Sequence, residues 1–224
     1  MIPRRTAGEC VLPDGLKVWI CTLNSAQRLE AEKRARRYAA GECRSLLKGG
    51  RDYASVLAEA KSLTPAEQAA YLASQETWQI RREVTAAFPL PSEPEQCKGN
   101  PAPYSQAVAK WEKETARVEK QRKAEEASRL EAAKAGYLAL EAMRRMEACC
   151  TAFYNAEFGE AYFRRLNMET LLRAVRDPED HLQRRFGSPE EVEDLDDAVR
   201  QALLDKYKEL DALTPAEVPT SPLA

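Results

Sequence analysis

Between Tyr104 and Phe158 the chain contains no proline and a single glycine, Gly136. Alanine, charged residues and leucine fill the stretch, and their intrinsic preferences favour helix throughout. Unbroken, about 50 residues at 1.5 Å of rise each make a rod of roughly 75–80 Å. Its two halves differ. Residues 112–131 carry 12 charged side chains in 20 positions, with Glu119/Lys123 and Glu125/Arg129 in the favourable i,i+4 order. Apolar content there is mostly Trp111, Val118, Ala127 and Leu130. That is too thin for a core and predicts an exposed helix or stalk. A coiled-coil seam fails over 112–126 for the same reason. From Leu130 onward, Tyr137, Leu140, Met143, Met146, Cys150 and Phe153 recur at spacings of three and four, which predicts a packed face.

This helix is preceded by PLPSEPEQCKGNPAP at 89–103, where five prolines in fifteen residues predict an extended linker. Upstream, Glu9–Leu12 and Leu16–Thr22 flank Pro13-Asp14-Gly15. Proline presets φ, aspartate bonds its own backbone and glycine accepts positive φ, so the segment reads as a β-hairpin. Leu16, Val18 and Ile20 share one face of the second strand. Two strands alone are marginal, so the hairpin must pack on a helix or pair with another chain. Asn24 or Ser25 can cap a helix to about Cys43, Lys48-Gly49-Gly50 stops it, and a second helix fits Asp52–Ser62. Thr64-Pro65-Ala66-Glu67 is a capping box with proline in the first turn, opening a helix to about Phe88. Towards the other end, Asn167 can open a short helix and Asp177-Pro178-Glu179-Asp180 another, ended by Gly187. Ser188-Pro189-Glu190-Glu191 opens a last one to about Leu213.

The fold class expected is therefore mainly α. A hairpin-plus-helix region (1–88) leads through the linker (89–103) and the long charged helix (104–158) to a C-terminal helical region (159–213) and a flexible tail (214–224).

Composition narrows the chemistry. His181 is the single histidine, so His-based triads and His-ligated metals are hard to build. An exposed helical histidine is the expected role. The six cysteines, at 10, 21, 43, 97, 149 and 150, form no C-x-x-C and read as reduced thiols, implying a reducing cytoplasm. Glu190/Glu191 and Asp196/Asp197 lack calcium-loop spacing and read as a solvated face. Lys48-Gly49-Gly50 lacks phosphate-loop spacing. No run of 18 apolar residues exists, and Met1–Asp14 lacks the apolar stretch of a secretory signal. The net charge of −2 hides a gradient from +4 over 1–88 to −6 over 159–224. The Arg-rich helix at 28–37 (Arg28, Lys33, Arg34, Arg36, Arg37) is the one nucleic-acid feature, but Glu30 and Glu32 interrupt it. No catalytic residue, metal site or cofactor is expected, and the composition points to a non-enzymatic interaction protein.

Two stretches carry a resemblance. Val11-Leu12-Pro13-Asp14-Gly15-Leu16-Lys17-Val18-Trp19-Ile20, then Leu23-Asn24-Ser25-Ala26 and a charged helix, resembles the opening of the tail assembly chaperones of long-tailed bacteriophages. Leu171-Leu172-Arg173-Ala174-Val175-Arg176-Asp177-Pro178, Arg185-Phe186-Gly187-Ser188-Pro189-Glu190-Glu191-Val192 and Leu203-Leu204-Asp205-Lys206-Tyr207 are similar to their C-terminal half. The match spans roughly 30 residues at the front and 45 near the back. It implies a factor of the bacterial host cytoplasm that keeps the tape measure protein soluble, recruits tail tube protein and is absent from the finished virion; a second copy of the chain is a further candidate partner. It implies no particular client-binding residues. The alternatives are a structural tail or neck accessory protein and a nucleic-acid-binding regulator using helix 28–37.

Overall fold

A computed structural model describes residues 6–13, 15–94 and 101–212. The protein is mainly helical, with a small N-terminal antiparallel hairpin. It forms two compact units: residues 1–50 with 155–224, and residues 51–154. This is not the sequential division expected from the proline run. Both ends of the chain build one unit, and 51–88 joins the helices that follow it.

In the first unit, β1 (Ala7–Val11) and β2 (Lys17–Cys21) pair with Glu9 opposite Trp19 and Cys10 opposite Val18. Gly15 at φ 83° closes the turn. β2 is central, because β3 (Val175–Arg176) pairs on its other side with Ile20 opposite Val175. The alternation expected of β2 holds where it is covered: Val18 and Ile20 are buried, while Leu16, at the turn, is exposed. α1 (Ser25–Glu42) starts at Asn24, whose side chain accepts from Gln27 N–H while Gln27 bonds back. A 3-10 turn follows at Cys43–Leu46, and Gly49 at φ 89° ends the segment. α6 (Ala142–Ala174), α7 (Pro189–Glu193) and α8 (Asp197–Ala212) complete the list of elements, the N-terminal part of α6 belonging to the other unit.

The core of this unit joins Val18 and Ile20 of β2 to Leu171, Leu172 and Val175, with Val192 and Leu203 closing it. α8 packs on β1 and β2, and a Cβ on Gly8 would lie 3.2 Å from Leu210. Ala31, Ala35 and Ala39 form the buried stripe of α1.

Three expected boundaries move here. Asn167 lies inside α6 rather than at a helix start. Residues 177–187 contain no helix: Asp177 accepts from Glu179 and Asp180 N–H at 2.9 and 3.4 Å, which makes a turn instead, and the chain returns along β3. The helix expected over 188–213 is α7 and α8, parted at Asp194–Asp196.

The second unit contains α2 (Tyr53–Ser62), α3 (Pro65–Gln75), α4 (Thr77–Ala87), α5 (Pro101–Leu138) and the start of α6. Thr64 and Glu67 form the expected capping box. Thr64→Ala should cost about 1 kcal/mol, read as a lower urea midpoint. Pro101 and Pro103 lie in the first turn of α5, where no intrahelical N–H bond is lost. Residues 95–100 of the expected linker lie outside the described residues, as does the tail.

The stretch 104–158 is not one helix. It breaks at Ala139–Glu141, not at Gly136, and resumes as α6. Nor is its charged half a stalk. Trp111 Nε1 donates to Pro91 O at 3.0 Å, Arg122 Nε to Phe88 O at 2.7 Å, and Arg129 pairs with Glu83 at 3.2 Å. α5 therefore runs antiparallel to α4. The half-buried residues Tyr104, Val108, Trp111, Thr115, Val118, Arg122, Glu125 and Arg129 step by four and three along it. The seam is regular, but polar side chains fill it.

At the end of that seam, Tyr137 O–H donates to the Glu76 carboxylate. This bond, then burial, pushes the Tyr137 hydroxyl up to about 12. The fold favours the neutral phenol, so this contribution is complete below pH 10 and falls away as pH rises towards 12. Tyr137→Phe should remove that part of the alkaline loss of stability. An unchanged pH–stability curve between 10 and 12 would exclude the coupling.

Among the described residues no helix is long and apolar enough to cross a membrane.

Candidate functional site

Two grooves flank α6 in the first unit. One, of about 530 Å³, is lined by Glu42, Cys43, Leu46, Glu157, Glu160 and Arg164, among others. The second, of about 790 Å³, has Met168 and Leu204 in its lining, with Arg164, Glu193, Asp197 and Arg200 around them. Met168 and Leu204 are themselves buried, so the grooves present mainly polar and charged side chains of both signs.

The wall between α1 and α6 is set by buried charge. Glu169 is 1% exposed and Arg173 5%. Arg173 Nη1 donates to the Glu169 carboxylate and to Glu169 O at 2.7 Å. Arg165 Nε donates to Glu169 at 3.2 Å, and its other branch lies 3.3 Å from Glu190. The Arg165 guanidinium also sits 4.9 Å from the centroid of the Tyr38 ring, a cation–π contact. One buried carboxylate thus holds two guanidinium groups a turn apart on either side of it. Glu190 is drawn below the usual carboxylate range by backbone bonding at the α7 start, by Ser188 and by Arg165.

The residues singled out in the sequence have definite places. His181 is exposed at the 178–182 turn, its ring 4.5 Å from that of Trp19. Glu191 accepts from Gly187 N–H at 2.9 Å, Asp196 from Ala198 N–H at 2.8 Å, and Asp197 pairs with Arg200. The acidic pairs are caps and ion-pair members. In the Arg-rich helix, Arg28 is held by Asp211 and by Leu23 O, the latter at 3.1 Å. Arg34 is held by Glu30 at 2.8 Å. Lys33, Arg36 and Arg37 remain on the exposed surface. The basic array is therefore split between structural and exposed members. Cys10, Cys21, Cys43, Cys149 and Cys150 are free thiols, and burial pushes Cys10, Cys43, Cys149 and Cys150 up from the ordinary thiol range. Among the described residues no group of three or more His, Cys, Asp or Glu side chains is placed to hold a metal ion.

Sequence reasoning missed the Glu169 cluster. Its signal was present as Arg165, Glu169 and Arg173 at successive i,i+4 steps, but the placing of a helix start at Asn167 hid it.

Compared with known proteins, the chain matches no family model, no curated protein and no solved structure.

Proposed function

We propose that this protein is a non-enzymatic tail assembly chaperone of a long-tailed bacteriophage, acting in the host cytoplasm on the tape measure protein and promoting assembly of tail tube protein around it. The carrying observation is the groove beside α6, where Met168 and Leu204 are rimmed by Arg164, Glu193, Asp197 and Arg200. It offers a partner helix a seat edged by charges of both signs. Such a seat supports many moderate contacts, which suits a factor that must later let its client go. Exposed apolar side chains on the same unit, Phe163 at 61% and Leu182 at 91%, add further contact points. The sequence resemblance at both ends of the chain supplies the identity of the client.

The test is co-expression with the tape measure protein of the same genome. The client should become soluble and co-purify with the chain. Ala198→Trp, on the exposed lining of the groove, should reduce recovery of the complex several-fold while the chain's own circular dichroism is unchanged. A client that stays insoluble and unbound rejects the proposal. Mass spectrometry of finished particles provides the second measurement: a stoichiometric amount of this chain would assign it to the virion structure instead.

A further inference from the structure

Residues 175–185 form a short hairpin with an unusual pair at its centre. Asp177 N–H donates to Gln183 O at 3.1 Å, and Arg185 N–H donates to Val175 O at 3.2 Å. Arg176 and Arg184 are bridge partners between those two bonds. They are therefore a non-hydrogen-bonded antiparallel pair. In that arrangement the Cα atoms come closest, about 4.5 Å apart, and both side chains lie on one face of the sheet. Arg176 is also opposite Trp19. The next pair along, Ile20 and Val175, belongs to the core, so Arg176 and Arg184 share the face turned away from it.

Arg176 is only 9% exposed, yet its side chain has no hydrogen bond, ion pair or ring contact among the described residues. Arg184, exposed beside it, has no side-chain partner either. The nearby acids are engaged elsewhere. Glu9, in the same cross-sheet row beyond Trp19, pairs with Lys17 at 2.7 Å, and Asp177 pairs with Arg185 at 3.4 Å. Like charges directly opposite in a ladder are destabilising. Most of the Arg176 side chain is covered, and its guanidinium nitrogens meet solvent rather than a protein acceptor. The repulsion falls at one point of the fold, and no side chain of the described residues offsets it there.

We propose that Arg176 and Arg184 together hold a phosphate-type oxyanion. Near neutral pH a phosphate monoester carries about 1.5 to 2 negative charges and three acceptor oxygens, which suits two guanidinium forks. A carboxylate brings one charge and satisfies one fork. The exposed Arg184 closes over the group, and the buried Arg176 provides the fixed wall beside Trp19.

The test compares melting of the full chain with that of Arg184→Gln, in sodium phosphate and in sodium chloride at equal ionic strength. Phosphate stabilises proteins generally by exclusion from their surface, so the reading is the difference between the two proteins. Phosphate should raise the melting temperature of the unaltered chain by about 3 °C more than that of the variant. In chloride the variant should melt at or above the unaltered chain, because the repulsion is gone. Arg176→Gln, where it folds, should lose the phosphate increment as well. Equal increments in the unaltered chain and Arg184→Gln overturn the site. So does glutamate giving the same increment as phosphate. Repeating the comparison with pyrophosphate and with a single-stranded oligonucleotide identifies the source: an Arg184-dependent shift with the oligonucleotide supports a phosphodiester strand, and one with pyrophosphate alone supports a terminal phosphate.

Discussion

Arg145→Ala is expected to destabilise the 51–154 unit by about 4 kcal/mol. Arg145 is 7% exposed and forms no ion pair with a carboxylate among the described residues. Its Nε donates to Gln68 Oε1 at 2.9 Å, and Nη1 donates to Leu138 O at 3.1 Å and Leu140 O at 2.9 Å. Those two carbonyls belong to the end of α5 and the break after it, where the helix leaves its acceptors unmatched. Gln68, itself 4% exposed, passes the connection on, donating to Ala60 O at 2.8 Å and Leu63 O at 3.3 Å. One guanidinium thus joins the ends of α2 and α5 through α3. Each bond from a charged donor contributes roughly 1.5–3 kcal/mol. Some of the loss is recovered, because the bonds to Leu138 O and Leu140 O are only partly buried and water can replace them in part. Arg145→Lys keeps the charge but not the fork, so it should recover less than half. Urea unfolding followed by amide exchange in α3 measures both variants. Full stability in Arg145→Lys would show that charge alone matters there.

The second large effect lies in the other unit. Glu169→Leu should cost about 3–5 kcal/mol, because it leaves Arg173 buried without its carboxylate. Arg165 retains Glu190 and the Tyr38 ring and suffers less. The double variant Glu169→Leu, Arg173→Leu should regain much of that loss, since a well-packed apolar pair can match a buried ion pair. The double-mutant cycle gives the coupling directly. If the two single losses simply add, the carboxylate and guanidinium are not stabilising each other.

The elements legible in the sequence are those whose cause is local. The positive-φ Gly15 of the hairpin, the Asn24 cap, the Thr64–Glu67 box and the Gly49 stop each depend on a few neighbouring residues, and each stands where expected. What escaped the reading depends on distant partners. Asp177 performs the bonding expected of a helix cap, but pairing of Val175 and Arg176 with β2 and with Arg184 commits the following residues to a return strand. The break after Leu138 carries no proline. It is fixed from outside by Arg145, which binds the freed carbonyls. The seam of α5 looked too charged to pack because Arg122, Glu125 and Arg129 occupy it. Their partners, Phe88 O and Glu83, come from α4 and the residue after it. The candidate site is similarly divided. The Arg165, Glu169, Arg173 spacing was readable, but its burial against α1 was not.

The origin of the first unit from both ends of the chain bears on how it is made. β1 and β2 leave the ribosome early, while β3 and α8 follow only after about 150 intervening residues, a delay of roughly 8–30 s at ordinary synthesis rates. Throughout that interval Val18 and Ile20 have no cover from Leu171, Val175 or Leu203. Slower translation therefore lengthens the period in which a nascent hairpin can join a neighbouring chain on the same polysome. Moving the first fifty residues to the other end by circular permutation would shorten it.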